Sequence, residues 1–120
     1  MAFDEEASTA SIASHRLFDT RGKLRVEYTS MTTPSSLLEF DLASGAKTLL
    51  KQQPVPNFDA SLYASKQMSV TARDGETVPV TLLWRPDKVA LGTTPAPLHL
   101  YGYGSYGVCI DPEFHETLPN

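Results

Sequence analysis

The sequence predicts a mostly β chain, and three observations predict it. Apolar and polar residues alternate with the period of two that a half-buried strand requires, most clearly in Leu24-Arg25-Val26-Glu27-Tyr28-Thr29. Turn-forming residues recur between the alternating runs, at Thr33-Pro34-Ser35-Ser36, Ala43-Ser44-Gly45-Ala46 and Arg73-Asp74-Gly75-Glu76. No stretch shows the helical spacing of apolar residues that an amphipathic helix needs.

Taken in order, residues 1–20 are rich in Ala, Ser and Thr without a clear period, which fits a strand followed by a loop. Leu24 to Thr29 is the first well-marked strand. Pro34 presets φ for a turn, and Leu37-Leu38-Glu39-Phe40-Asp41-Leu42 resumes the extended pattern. Gly45 supplies the positive φ of the next tight turn, and Lys47-Thr48-Leu49-Leu50-Lys51-Gln52 forms a third strand. Short strands joined this closely make an antiparallel meander, and the Asp41 to Gly45 turn resembles those between outer strands of a β-propeller blade. Pro54 and Pro56 cannot both sit in a central strand, so residues 52–59 read as an extended linker and a domain boundary.

Beyond the linker, Ala64 to Thr71 alternates weakly. The Asp74-Gly75 pair marks a hairpin whose two turn positions tolerate positive φ, and Val78 to Trp84 returns, with Pro79 near an edge. A polar loop from Arg85 to Pro95 leads to a short strand at Pro97-Leu98-His99-Leu100-Tyr101. Neither half is complete. A single blade leaves sheet faces and edges uncovered, and a hairpin with one more strand lacks the alternating helices that would cover an α/β sheet.

Composition sets bounds on function. The 120 residues are 41% hydrophobic and 20% charged, with a net charge of -4, so the chain is globular and has no electrostatic hold on nucleic acid. No run approaches the roughly 18 apolar residues of a membrane span. Asp4, Glu5 and Glu6 stand where a targeting signal would be basic, and the single Cys109 fits a reducing compartment, so a cytoplasmic location is expected. No metal site is expected, because Asp111 and Glu113 have no histidine or cysteine cluster beside them. No cofactor is expected either. Gly102, Gly104 and Gly107 have dinucleotide-loop spacing, but Pro112 stops the helix that should follow and the ribose-binding acid is missing.

Several groups of residues together carry a resemblance. They are Phe3-Asp4-Glu5-Glu6, Tyr28-Thr29-Ser30-Met31-Thr32-Thr33-Pro34, Leu50-Lys51-Gln52-Gln53-Pro54-Val55, Thr71-Ala72-Arg73-Asp74-Gly75 with Val78-Pro79-Val80, and Leu100 to Gly107 followed by Ile110-Asp111-Pro112-Glu113-Phe114. In this order and spacing they resemble the oligopeptidase B branch of the prolyl oligopeptidase family of serine peptidases. The resemblance implies the end of a β-propeller at residues 1–56, followed by the first strands of an α/β-hydrolase domain at residues 57–120. It implies short peptides as substrates, cleaved after Arg or Lys, and the remainder of the same polypeptide as the missing partner. Residues 115–120 depart from the family pattern, which continues into a helix there.

Peptide hydrolysis of this kind needs a serine on a strained turn, a histidine and an orienting acid. The G-x-S-x-G elbow is absent from these 120 residues. Ser105 lies between glycines at the wrong spacing, and His15, His99 and His115 are scattered, so structural roles are expected for them. The family's triad comes later in the chain, and this chain alone is expected to be inactive. One catalytic residue is implied by the resemblance. The second tyrosine of the Tyr-Gly-Tyr-Gly loop donates its hydroxyl to the oxyanion hole, and Tyr103 holds that position. Its flanking Gly102 and Gly104 are expected to bend the chain. From the residues alone, packing around a tight turn is the plainer reading for Tyr101, Tyr103 and Tyr106, and the resemblance alone singles out Tyr103. Trp84 is expected in the core, Cys109 as a buried inert thiol, and Lys51 and Arg73 as solvated charges. The alternative to a peptidase segment is a non-catalytic β-rich interaction module offering sheet edges, or a pseudogene product.

Overall fold

A computed structural model describes residues 3–13, 22–93 and 95–117. Four strands, β1 (Ser8–Ile12), β2 (Lys23–Ser30), β3 (Ser36–Asp41) and β4 (Lys47–Gln52), form an antiparallel sheet in sequence order. The alternation seen in the sequence has a direct physical outcome. Pairing sets Leu24 opposite Phe40, Val26 opposite Leu38 and Tyr28 opposite Ser36, so one face of β2 and β3 is apolar. Val26, Tyr28, Leu38 and Phe40 are the buried cluster, closed by Phe3 and Leu24. The Phe3 ring stacks on Tyr28 at 4.5 Å and meets Phe40 edge-on at 5.9 Å. On the opposite face Glu39 accepts from Lys23 at 2.9 Å and Arg25 at 3.1 Å. The Glu39 side chain is only 15% exposed, but its two partners reach solvent, so the pairs hold the polar face while adding modest stability.

The turns follow their side chains. Asp41 Oδ1 accepts from the N–H groups of Ala43 and Ser44, while Gly45 takes φ 73° and donates to the Asp41 carbonyl. Between β3 and β4 the register slips at Leu37/Leu38, which leaves Leu50 as the extra residue on β4. The strand that the Ala/Ser/Thr-rich beginning allowed is β1, paired to β2 from Ser8 opposite Ser30 to Ile12 opposite Val26.

After the linker, a single 3-10 turn at Ala60–Leu62 is capped by Asp59, which accepts from the Ser61 N–H. Strands β5 (Ala64–Thr71) and β6 (Thr77–Trp84) then pair only with each other among the described residues. Pro79 faces Ser69 in a two-stranded sheet, where every strand is an edge. The hairpin turn differs from the expected two-residue form. Gly75 donates to the Ala72 carbonyl and alone takes positive φ, at 91°, while Ala72 donates to the Glu76 carbonyl. This is a three-residue loop with a glycine bulge, in which Asp74 keeps negative φ and its carboxylate accepts from the Glu76 N–H.

Three further expectations are corrected. No strand forms at residues 97–101, because an extended segment needs a neighbour to pair with, and Leu98 and Leu100 stand 75% and 81% exposed. Trp84 is only partly buried, since a lone hairpin has no second layer to cover it. Cys109 is exposed, as are Val108 and Ile110 beside it, for the same want of a covering layer.

Candidate functional site

The Tyr-Gly-Tyr-Gly loop runs along the surface. Its bend does not come from the glycines expected to make it. Gly102 and Gly104 keep ordinary φ, whereas Tyr106 at 56° and Gly107 at 69° form the two central positions of a turn closed by Val108 N–H to the Ser105 carbonyl at 3.1 Å. Two consecutive positive φ values are the mark of a type I′ turn, and a bulky tyrosine accepts that conformation only at a cost in strain. Tyr106 pays it fully in solvent, at 95% exposure. Tyr103 is 49% exposed and stands just ahead of this turn. Ser105 serves the turn through its carbonyl, and no helix follows it among the described residues.

The chain beyond the loop comes back to the first sheet. Thr9 Oγ1 donates to the Pro112 carbonyl at 3.1 Å, and the Phe114 N–H donates to Thr29 Oγ1 at 3.1 Å. The Phe114 ring meets Phe58 edge-on at 4.9 Å, and Gln53 Nε2 donates to Glu116 Oε1 at 2.5 Å. The segment carrying Tyr103 is therefore fastened at its downstream end to β1, β2 and the linker. His99 and His115 are exposed on separate segments, and His15 lies outside the described residues. Asp111 and Glu113 join no cluster of possible metal ligands among the described residues.

A second polar centre escaped the sequence reading. Glu5 Oε2 accepts from the Tyr28 hydroxyl at 2.6 Å and the Thr33 hydroxyl at 2.8 Å, while Oε1 accepts from Ser30 at 2.7 Å and from Thr32. Burial pushes the Glu5 carboxyl up, but the hydroxyls of Thr32, Tyr28, Ser30 and Thr33 together outweigh it and hold the carboxyl below its ordinary value. Burial first, and donation to Glu5 second, push the Tyr28 phenol up to about 12. Ser30 is fully buried, and its Oγ also accepts the N–H groups of Thr32 and Thr33. The centre is thus a fully satisfied lock between the chain start and the β2–β3 turn. The hydroxyl density of Tyr28 to Thr33 was the available signal. Its acidic partner becomes visible only once β1 pairs with β2 and carries Glu5 past the end of that pairing.

No family model matches the chain. Among characterised proteins it is 48% identical over 95 residues to dipeptidyl aminopeptidase BI of Pseudoxanthomonas mexicana, covering 78% of this chain and 13% of that protein. It is 37% identical over 115 residues to protease 2 of Moraxella lacunata, covering 95% of this chain and 16% of that one. Among solved structures, oligopeptidase B of Trypanosoma brucei, in closed form with covalently bound antipain, superposes with a TM-score of 0.80 and 38% identity over 98% of this chain and 17% of its own. This chain therefore spans roughly a sixth or less of the relatives it matches. Those neighbours are peptidases with a propeller and a hydrolase domain, and the nearly all-β chain described above is homologous, over almost its whole length, to oligopeptidase B and its relatives in the prolyl oligopeptidase family.

Proposed function

We propose that this chain supplies a serine oligopeptidase with the end of its propeller, residues 1–56, and the opening strands of its hydrolase domain, residues 57–120. The observation that carries the reading is the match to oligopeptidase B along 98% of the chain at a TM-score of 0.80. The reaction is acyl transfer. A serine from the remainder of the polypeptide attacks the peptide carbonyl, a histidine takes its proton, and a tetrahedral oxyanion forms. Tyr103 donates its phenolic hydroxyl to that oxyanion, beside a backbone N–H following the serine. Its partial exposure ahead of the Ser105–Val108 turn leaves the hydroxyl available, and a phenol reaches further than an amide from the same backbone. Short peptides are the substrates, cut after Arg or Lys, in line with the oligopeptidase B likeness of Gly104-Ser105-Tyr106-Gly107. The single Cys109 suits a cytoplasmic enzyme.

The test is turnover by the full-length protein of an arginyl and a prolyl peptide amide. Hydrolysis of the arginyl substrate, abolished by a serine-directed reagent, is expected, with none from the 120-residue chain alone. Failure on both substrates contradicts the peptidase reading, and a preference for proline contradicts the specificity.

A further inference from the structure

The Tyr103 loop is held by its own turn, and its fixed point lies downstream, where Pro112 and Phe114 meet the first sheet. Thr29 stands at that joint. Its hydroxyl donates to the Thr33 carbonyl at 3.2 Å and accepts the Phe114 N–H at 3.1 Å. A hydroxyl has one proton, so donation toward Thr33 leaves a lone pair for Phe114 and fixes the sense of the second bond. Thr33 is itself immobilised from the other side, with its hydroxyl on the Glu5 carboxylate and its N–H on Ser30 Oγ, both at 2.8 Å. A line of hydrogen-bonded residues therefore runs from Glu5 through Thr33 and Thr29 to the backbone beyond the loop. The Thr9 bond to Pro112 and the Phe58 ring beside Phe114 lie parallel to it.

We propose that Thr29 is a positioning residue for Tyr103: by receiving the Phe114 N–H it ties the downstream end of the loop to the first sheet and limits where the phenol can stand. The inference rests on the peptidase reading. Oxyanion stabilisation depends on a donor already in place when charge develops, and a displacement of about 1 Å can cost on the order of 100-fold in rate. Thr29 acts through the placement of the Tyr103 donor, which is needed when charge develops, so its effect is expected in kcat more than in substrate affinity.

The test uses the full-length protein with Thr29→Val, which removes the hydroxyl at nearly constant volume, and Thr29→Ser, which keeps it. Amide hydrogen exchange at Phe114 and the kcat and KM for an arginyl amide are the readouts. Thr29→Val is expected to speed exchange at Phe114 roughly tenfold, the factor that follows from losing one ordinary hydrogen bond. It is expected to lower kcat about 10- to 100-fold with KM little changed, and Thr29→Ser to restore both. If Thr29→Val does not fold, Thr9→Val removes the parallel bond to Pro112 and is expected to move both readings in the same direction by a smaller factor. Unchanged exchange and kcat in the valine variant, or equal damage from serine, overturns the proposal. A wild-type protein without turnover removes the peptidase reading and this inference together, whereas an active wild type indifferent to Thr29→Val removes this inference alone.

Discussion

The sheet of β1 to β4 and the segment from β5 onward are made from the same kinds of residue, yet they treat their apolar side chains in opposite ways. The first sheet gathers Val26, Tyr28, Leu38 and Phe40 on one face and seals them with Phe3. Among the described residues the second region has one hairpin, and Leu98, Leu100, Val108 and Ile110 are exposed. Alternation is enough to make a strand, but a buried face needs a second layer, and only the first region has the start of one. The difference teaches where stability is expected to come from within these 120 residues, and which surface is shaped for something other than this chain's own core.

The sharpest way to break that contrast is in the first core. Phe40→Ala removes a ring that is 5% exposed and lies between Leu24 and Phe3, and should cost about 3–5 kcal/mol, read as a lower urea midpoint for the first sheet. A loss under about 1 kcal/mol would mean that this cluster is no core. The strand pattern behind the prediction was legible in the sequence because β2 and β3 alternate large apolar and charged side chains. β1 was not, since Ser8-Thr9-Ala10-Ser11 offers no contrast for a period to act on.

Next in size is the Glu5 lock. Glu5→Gln keeps the shape but loses the charge that receives four hydroxyls, and is expected to cost about 1.5–3 kcal/mol, the range for hydrogen bonds to a charged group. The same group predicts a pH dependence. Its carboxyl is held below the ordinary 4.5, so its stabilisation is present above that value and is lost as pH falls through the lower folded value. Stability of the wild type should therefore drop below pH 4.5 more steeply than that of Glu5→Gln. Parallel curves would contradict the lock. Tyr28 works in the opposite sense: its folded value is raised, so its contribution is intact below pH 10 and fades as pH rises toward about 12. No periodicity announces such a centre, because carboxylate and hydroxyls lie far apart in sequence and meet only through strand register.

The smallest effect belongs to the uncovered region. Leu100→Ser should change stability by no more than about 0.5 kcal/mol, because the side chain it replaces is already in water. A larger loss in the 120-residue chain would show that this segment does build a core. The hairpin itself was legible from Asp74-Gly75, although the turn turned out to need one positive φ and not two. The strand expected at residues 97–101, the buried Cys109 and the core Trp84 were misread for a common reason. Sequence pattern reports which side chains want cover, and whether cover exists is a property of the surrounding structure. At the candidate site, the loop and Tyr103 could be picked out by resemblance, but the turn at Tyr106-Gly107 and the Thr29 joint needed coordinates.

The proposed role of Tyr103 stands most directly on its hydroxyl. In the full-length protein, Tyr103→Phe keeps the ring and deletes only the donor, so kcat for an arginyl peptide amide should fall about 10²- to 10³-fold, the loss that follows from removing one oxyanion donor. A kcat equal to that of the wild type would contradict the assignment.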